Sequence, residues 1–253
     1  MYVRPKKSLG QHFLNDQNIA RKIVDSIVGQ PELVLEIGPG MGVLTRYFAE
    51  KQFNFKVVEI DKESVEYLKS NLQIPDEKII FGDFLQLELE KLFPSQYAII
   101  GNFPYNISSQ IFFKVLDNRQ HVSQVVCMIQ KEVAERISAP PGSKTYGILS
   151  VLLQAFYDIK YLFTVNENVF MPSPKVKSAV IRFTRNSTIK LDCNEELFFK
   201  IVKASFNQRR KTLRNSLRAF YKPETLTSDI FNLRPERLGV QDFVELVKMA
   251  NMC

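Results

Sequence analysis

The stretch Gly101-Asn102-Phe103-Pro104-Tyr105-Asn106 combines residue types that could do chemistry. Proline lacks an N–H and disfavours helical geometry in the residue before it, so Phe103 is expected to be extended with its carbonyl unclaimed by a helix. Asn102 adds an amide oxygen nearby, and Tyr105 adds a flat ring. Two acceptors and a stacking face suit a planar group bearing an NH2, such as a nucleobase. A Pro/Asn turn that merely joins a strand to a helix would have the same composition. These six residues alone leave both readings open.

Three further positions bear on the choice. Glu36-Ile37-Gly38-Pro39-Gly40-Met41-Gly42 places glycines where a chain leaving a strand must turn tightly and let its backbone approach a ligand. The spacing is G-x-G-x-G, one residue short of the dinucleotide fingerprint, which disfavours a nicotinamide cofactor. Glu59 lies about 20 positions beyond Gly38, the separation at which a carboxylate reaches ribose hydroxyls. Asp83 closes a third apolar run, well placed to accept from an adenine amino group. Each feature alone could be a turn or a solvated strand end. Together, in register, they point to a nucleoside-type cofactor.

The elements that must hold these residues alternate along the chain. Apolar runs at 33–37, 55–59, 78–81, 97–100 and 125–129 read as buried strands. Helical patterns fall between them: one capped by Asn15 or Asp16, then about 43–51, 62–72 and 107–116. That alternation predicts a doubly wound, mostly parallel sheet with each candidate residue at a strand's carboxyl end. Residues 161–165 and 179–184 read as strands with no helix between, an antiparallel pair at a sheet edge. Between them, Val169-Phe170-Met171-Pro172-Ser173-Pro174-Lys175-Val176 reads as a proline-stiffened loop. Beyond Asn186-Ser187-Thr188 only helical patterns remain. The expected organisation is therefore a catalytic domain, 1–185, and a small all-α domain, 186–253.

Composition narrows the function. The chain has 253 residues, is 45% hydrophobic and carries 20 Phe, ample for a packed core. Its net charge of +7 favours a polyanionic partner. The tail from 186 onward carries 12 basic against 8 acidic residues. Within it, Lys200, Lys203, Arg209, Arg210, Lys211, Arg214 and Arg218 span a stretch with no acid. A solvated charged helix and an RNA-gripping helix both fit, and the absence of acids favours RNA. No apolar run reaches the about 20 residues of a membrane span, and the basic start from Met1 to Lys7 lacks a secretory core. Cys127, Cys193 and Cys253 show no zinc spacing, and His12 and His121 are the only histidines, so no metal site is expected. The expected setting is the cytoplasm.

The glycine turn, Glu59, Asp83 and Asn102-Phe103-Pro104-Tyr105 together resemble a class I S-adenosylmethionine-dependent methyltransferase of the N6-adenine type. More narrowly, the chain resembles the bacterial small-subunit ribosomal RNA adenine dimethyltransferases. That resemblance extends to Lys7-Ser8-Leu9-Gly10-Gln11-His12-Phe13-Leu14, Gln130-Lys131-Glu132-Val133-Ala134, Pro172-Ser173-Pro174-Lys175-Val176 and the stretch from Phe206 to Arg214, nearly the whole chain. Two positions depart from the common pattern: His12 where many relatives have Asn, and Phe103 where many have Leu. The resemblance implies a Rossmann-like α/β sheet with a helical C-terminal domain. It implies that His12, Leu14, Gly38, Gly40, Glu59, Asp83 and Asn102 contact S-adenosylmethionine, with Glu59 on the ribose and Asp83 on the adenine. It implies catalysis by Asn102, Phe103, Pro104 and Tyr105, with Tyr105 and Phe170 sandwiching a flipped target adenine. By itself, Phe170 would read as core. Arg209, Arg210, Lys211 and Arg214 would bind RNA.

The implied reaction is dimethylation of N6 on two adjacent adenosines in a hairpin near the 3′ end of small-subunit (16S) rRNA, during small-subunit biogenesis. The partner is the small ribosomal subunit, and the expected acting species is a monomer with no obligate protein partner and no membrane. Two alternatives remain: a large-subunit rRNA dimethyltransferase of the antibiotic-resistance type, and a non-catalytic assembly or RNA-binding factor. A nicotinamide oxidoreductase is more distant.

Overall fold

The structure is a computed structural model that describes residues 3–251; Met1, Tyr2, Met252 and Cys253 lie outside the described residues. In chain order, the two-residue strand β1 (Phe13–Leu14) precedes helix α1 (Gln17–Val24). Strands β2 (Val34–Ile37) and β3 (Phe55–Glu59), helix α2 (Lys62–Leu72), strand β4 (Ile79–Phe81) and the short α3 (Leu89–Leu92) follow. Next come β5 (Tyr97–Asn102), α4 (Ser108–Asp117), β6 (Val122–Gln130), α5 (Lys131–Ser138) and α6 (Ile148–Gln154). Then come β7 (Tyr157–Val165), the two-residue β8 (Phe170–Met171) and β9 (Ser178–Arg185). Helices α7 (Glu195–Asn207), α8 (Leu213–Ser216) and α9 (Val240–Asn251) complete it, joined partly by 3₁₀ turns.

Seven strands form one sheet in the order β4-β3-β2-β5-β6-β9-β7. The five from β4 to β6 run parallel, and β9 pairs antiparallel with β6. The central strands explain why their sequences do not alternate: Ala98, Ile99 and Ile100 on β5, and Val125 and Val126 on β6, are fully buried. Parallel strands covered on both faces bury every side chain, and each aliphatic one buried contributes about 1.5–3 kcal/mol. Strand order reverses between β2 and β5, because the chain builds outward from β2 through β3 to β4 and then returns to β5. That switch point opens a crevice at the strands' carboxyl ends.

Helix starts follow local chemistry. The Asp16 carboxylate accepts the N–H groups of Asn18 and Ile19 to begin α1, whose Ala20, Ile23 and Val24 enter the core. Asp61 does the same for α2 through the Glu63 N–H. One helix expected from sequence is not regular. Residues 43–51 form a succession of turns around a 3₁₀ segment, Thr45–Tyr47, mixing i+3 and i+4 hydrogen bonds. Thr45 explains part of this: its hydroxyl donates downward to the buried Glu36 at 2.6 Å, so this turn is fitted to the sheet rather than to a helical ladder.

The polypeptide divides into two compact units, 1–134 with 159–185, and 135–158 with 186–253. The join at 185/186 falls where the composition changes. Residues 135–158, expected with the first 185, group instead with the tail. In that second unit α6 packs against α7 and α9, and the Gly142 N–H donates to the Glu236 carbonyl. The segment's apolar residues Val151, Leu152 and Leu153 are fully buried. Cys127 is buried, and Cys193 half-buried; both are free thiols. No helix among the described residues is long and apolar enough to cross a membrane.

Candidate active site

A cavity of about 210 Å³ opens at the switch point. It is lined by residues that follow β2, β3, β4 and β5, together with the N-terminal segment, and gathers His12, Gly38, Gly40, Glu59, Asp83, Asn102, Phe103, Pro104 and Tyr105. Two other sequence candidates do not line it. Leu14 and Phe170 face each other across the β1–β8 ladder, both nearly inaccessible, and pack into the hydrophobic core around Ile100, Met128 and Val180. Phe170, read from sequence as part of a proline-stiffened loop, is thus in a short strand and only 4% exposed.

One wall of the cavity is built from carboxylates and backbone. Gly38 has φ +65, and a Cβ placed there would meet nothing within 4 Å, so the space above the turn is open to a ligand. Glu59 is 3% exposed, and its two oxygens accept the N–H groups of Gly40 and Asp61, each at 2.9 Å. Burial pushes its carboxyl up from the ordinary value, opposed by those backbone N–H groups. Behind it, Glu36 is 1% exposed and its carboxyl is pushed up to about 8, by burial first, with the Thr45 hydroxyl opposing and the Glu59 charge adding. Asp83 gives one oxygen to the Leu85 N–H at 2.9 Å, which leaves the other as an acceptor.

The facing wall has no carboxylate. Gly101 and Asn102 are the last residues of β5 rather than part of a turn. A Cβ at Gly101 would stand 2.6 Å from the Ile37 carbonyl, so only glycine lets β2 and β5 approach here. The Asn102 amide nitrogen donates to the His12 carbonyl at 2.9 Å, which turns its oxygen into the free acceptor. The Phe103 N–H donates to the Met128 carbonyl at 3.0 Å, while no described backbone group donates to the Phe103 carbonyl. Pro104 follows, as the acceptor argument requires. The Tyr105 hydroxyl shares a 2.6 Å hydrogen bond with Ser178, and burial pushes its pKa up, so it stays protonated.

The N-terminal segment ties the two walls. Asp61 is almost fully buried and forms an ion pair with Lys6, receives Gln11 Nε2 at 3.3 Å and Ser64 Oγ at 3.2 Å. Burial alone would raise its pKa, but Lys6, Gln11 and the Glu63 N–H hold it below the usual carboxylate range. The same segment then passes His12, whose carbonyl receives Asn102.

Among lining residues the sequence reading passed over, Ile60 is 46% exposed beside Glu59, an apolar face on the cavity. Phe84, Leu85 and Gln11 also line it. An exposed Ile directly after a strand-end acid was the available signal for Ile60. Asp61 and Lys6 had none, because their pairing spans 55 positions.

In the second unit the basic cluster is not one helix. Lys200 and Lys203 lie on α7, Arg209, Arg210 and Lys211 in the turn after it, and Arg214 on α8. Gln208 leaves helical geometry at the end of α7, which throws the basic run onto a connector. Arg210, Lys211 and Arg214 are exposed. The Arg209 guanidinium donates to the Lys144 carbonyl, so it also anchors the 143–145 loop.

A family model described as "Ribosomal RNA adenine dimethylase" matches residues 3–251. The chain is 59% identical over 248 residues to "Ribosomal RNA small subunit methyltransferase A" of Phocaeicola vulgatus, covering 96% of this chain and 89% of that one. It is 52% identical over 251 residues to the protein of that name from Porphyromonas gingivalis, covering 97% of each. Among solved structures, a dimethyladenosine transferase from Plasmodium falciparum superposes with a TM-score of 0.82 at 24% identity, over 95% of this chain and 98% of that one. The 23S rRNA methyltransferase ErmE superposes with a TM-score of 0.70 at 25% identity, over 93% and 99%.

Proposed function

The chain belongs to the ribosomal RNA adenine dimethylase family, and from that premise we propose that it dimethylates N6 of two adjacent adenosines in a hairpin near the 3′ end of small-subunit rRNA. The observation that carries this reading is the facing wall: an amide oxygen at Asn102 and a backbone carbonyl at Phe103, both without donors among the described residues, beside the ring of Tyr105. Relatives named for the small subunit are 52–59% identical, against 25% for the large-subunit enzyme, which favours the small subunit.

The donor wall suits S-adenosylmethionine. Its open space above Gly38, the buried Glu59 carboxylate and the spare Asp83 oxygen fit a methionine chain, a ribose diol and an adenine amine in turn. When bound, S-adenosylmethionine supplies an electrophilic methyl group. The chain's own residues supply the rest. Adenine N6 is a weak nucleophile because its lone pair is delocalised into the ring. Asn102 Oδ1 and the Phe103 carbonyl accept its two hydrogens, which favours a pyramidal nitrogen with its lone pair exposed. This is positioning and electrostatic catalysis with no titrating base required, the proton that N6 sheds after each methylation passing to solvent. For the second methylation one acceptor bond is lost, so the pocket must tolerate a methyl there. Tyr105 stacks on the base and offsets part of its unstacking cost. Phe170, 4% exposed within the core, offers a second ring only once that packing opens. The unit of 1–134 with 159–185 acts as the catalytic domain, and Arg209, Arg210, Lys211 and Arg214 on the second unit hold rRNA phosphates. A single chain acts, in the cytoplasm where its rRNA lies.

The test is incubation with labelled S-adenosylmethionine and immature small subunits, followed by mapping of the methylated bases. Label on two adjacent adenosines near the 3′ end is expected. Label elsewhere, or on large-subunit rRNA, would sink the reading. In the same assay R210E should weaken RNA binding and reduce the slope of log K against log salt by about one.

A further inference from the structure

His12 makes a contact that the reaction as derived above does not use. Its main-chain carbonyl receives the Asn102 amide, but its side chain turns to two other elements. The imidazole stacks on the Tyr105 ring, with centroids 5.5 Å apart and planes inclined by 24°. Its Nδ1–H donates to the Pro172 carbonyl at 2.7 Å. The carbonyl can only accept, so this bond places the proton on Nδ1. Phe13 pairs with Met171 in the short ladder that follows, which holds residue 12 opposite Pro172. One residue therefore joins three pieces of the site: the strand-end acceptor at 102, the stacking ring at 105 and the turn after Phe170.

Resting on the adenine-methylating reading above, we infer that the His12 side chain is a positioning residue that sets the seat of the target base. The ring holds Tyr105 at a fixed distance from the 170–172 strand and turn, while the carbonyl aims the Asn102 oxygen. Among the described residues, the Tyr105 side chain is otherwise hydrogen-bonded only at its far end, to Ser178. A phenol held at one point can tilt; held also across its face, it presents a fixed plane. Misplacement of a base by a fraction of an ångström is costly where catalysis consists of alignment. The chemistry also explains why a histidine works at this position. Asn, at the place of Nδ1, can reproduce the hydrogen bond but not the stacked ring. Phe can reproduce the ring but not the hydrogen bond.

Three variants separate these contributions: His12→Ala, His12→Asn and His12→Phe. Each is measured for kcat on small subunits, for S-adenosylmethionine affinity by calorimetry, and for the ratio of monomethyl to dimethyl product. H12A should lower kcat by about 10- to 100-fold and accumulate monomethyladenosine. Donor affinity should stay within about threefold, because the ring does not hold the donor. H12N and H12F should each recover part of the loss. The donor titration also reports that each variant is folded. Equal kcat in H12A and wild type would overturn the inference. So would a fall in donor affinity as large as the fall in kcat, which would place the ring's role at the donor. A gain in H12A would show the ring sitting in the base's place and would overturn it too. If wild type itself methylates no adenosine, it is the adenine-methylating reading that has failed, and the two failures stay distinct.

Discussion

The two walls of the cavity are built from opposite materials. The wall at the glycine turn presents the buried Glu59, backed by the acidic side chains Glu36 and Asp61, whose oxygens are largely taken by N–H groups, a hydroxyl and a lysine from the protein itself. The facing wall offers neutral acceptors, Asn102 Oδ1 and the Phe103 carbonyl, to which no described group donates, and a phenol ring. The difference follows from what each wall must do. A donor of constant structure can be met by a rigid, prepaid arrangement of charge. On the proposed reading, a base that must enter, shed a proton and return for a second methyl is better met by uncharged acceptors that no described group already occupies.

Three experiments bear on this contrast. The largest effect is expected at the open acceptor: N102A should lower kcat by about 100- to 1,000-fold, the usual loss when one aligned polar group is removed from a reacting centre. Methyl transfer that persists within a few-fold of wild type would mean the walls do not divide the work in this way. The next effect is expected on the other wall. E59Q replaces a charged acceptor by an amide that must turn an NH2 toward Gly40 or Asp61, so donor affinity should fall by about 10- to 100-fold, read by calorimetry. At saturating donor kcat should change much less; an equal loss in kcat would blur the contrast.

The smallest effect concerns stability. The Glu36 carboxyl keeps its proton up to about 8 in the folded chain, against 4.5 ordinarily. A folded pKa raised in this way makes a contribution that is complete below about 4.5 and is lost as pH rises toward 8. E36Q should abolish that fall. It should unfold at a higher temperature than wild type at pH 8.5, by the equivalent of about 1–2 kcal/mol, with the gap closing by pH 5. Parallel melting curves at both pH values would show Glu36 ionised in the fold and contradict its burial as the cause.

Much of this is legible in the sequence. The runs at 33–37, 97–100 and 125–129 read as buried parallel strands, because strands covered on both faces are near-continuously apolar rather than alternating. A glycine turn after the run at 33–37 and acids at the ends of the runs at 55–59 and 78–81 then had to meet at the carboxyl edge of one sheet. The irregular turns at 43–51 were not legible, since the pattern of apolar spacing was helical and the deciding bond, Thr45 to Glu36, reaches into the sheet. Nor was the grouping of 135–158 with the tail, which depends on what α6 packs against.

What the sequence by itself determined is the chemistry on offer: two acceptors fixed by a proline, a ring beside them, a glycine turn, two strand-end acids and an acid-free basic run. Local covalent preference and hydrophobic period are encoded residue by residue, so they survive without the fold. Only the tertiary structure decided which of these groups remain free to act. Asn102 has its amide nitrogen consumed by His12, Phe170 is buried in the core, Arg209 is turned to Lys144, and Tyr105 is braced by His12 and Ser178. Each of those outcomes is a hydrogen bond, ladder pair or ring contact between residues distant in sequence, and no spacing along a chain specifies which partner reaches a group first.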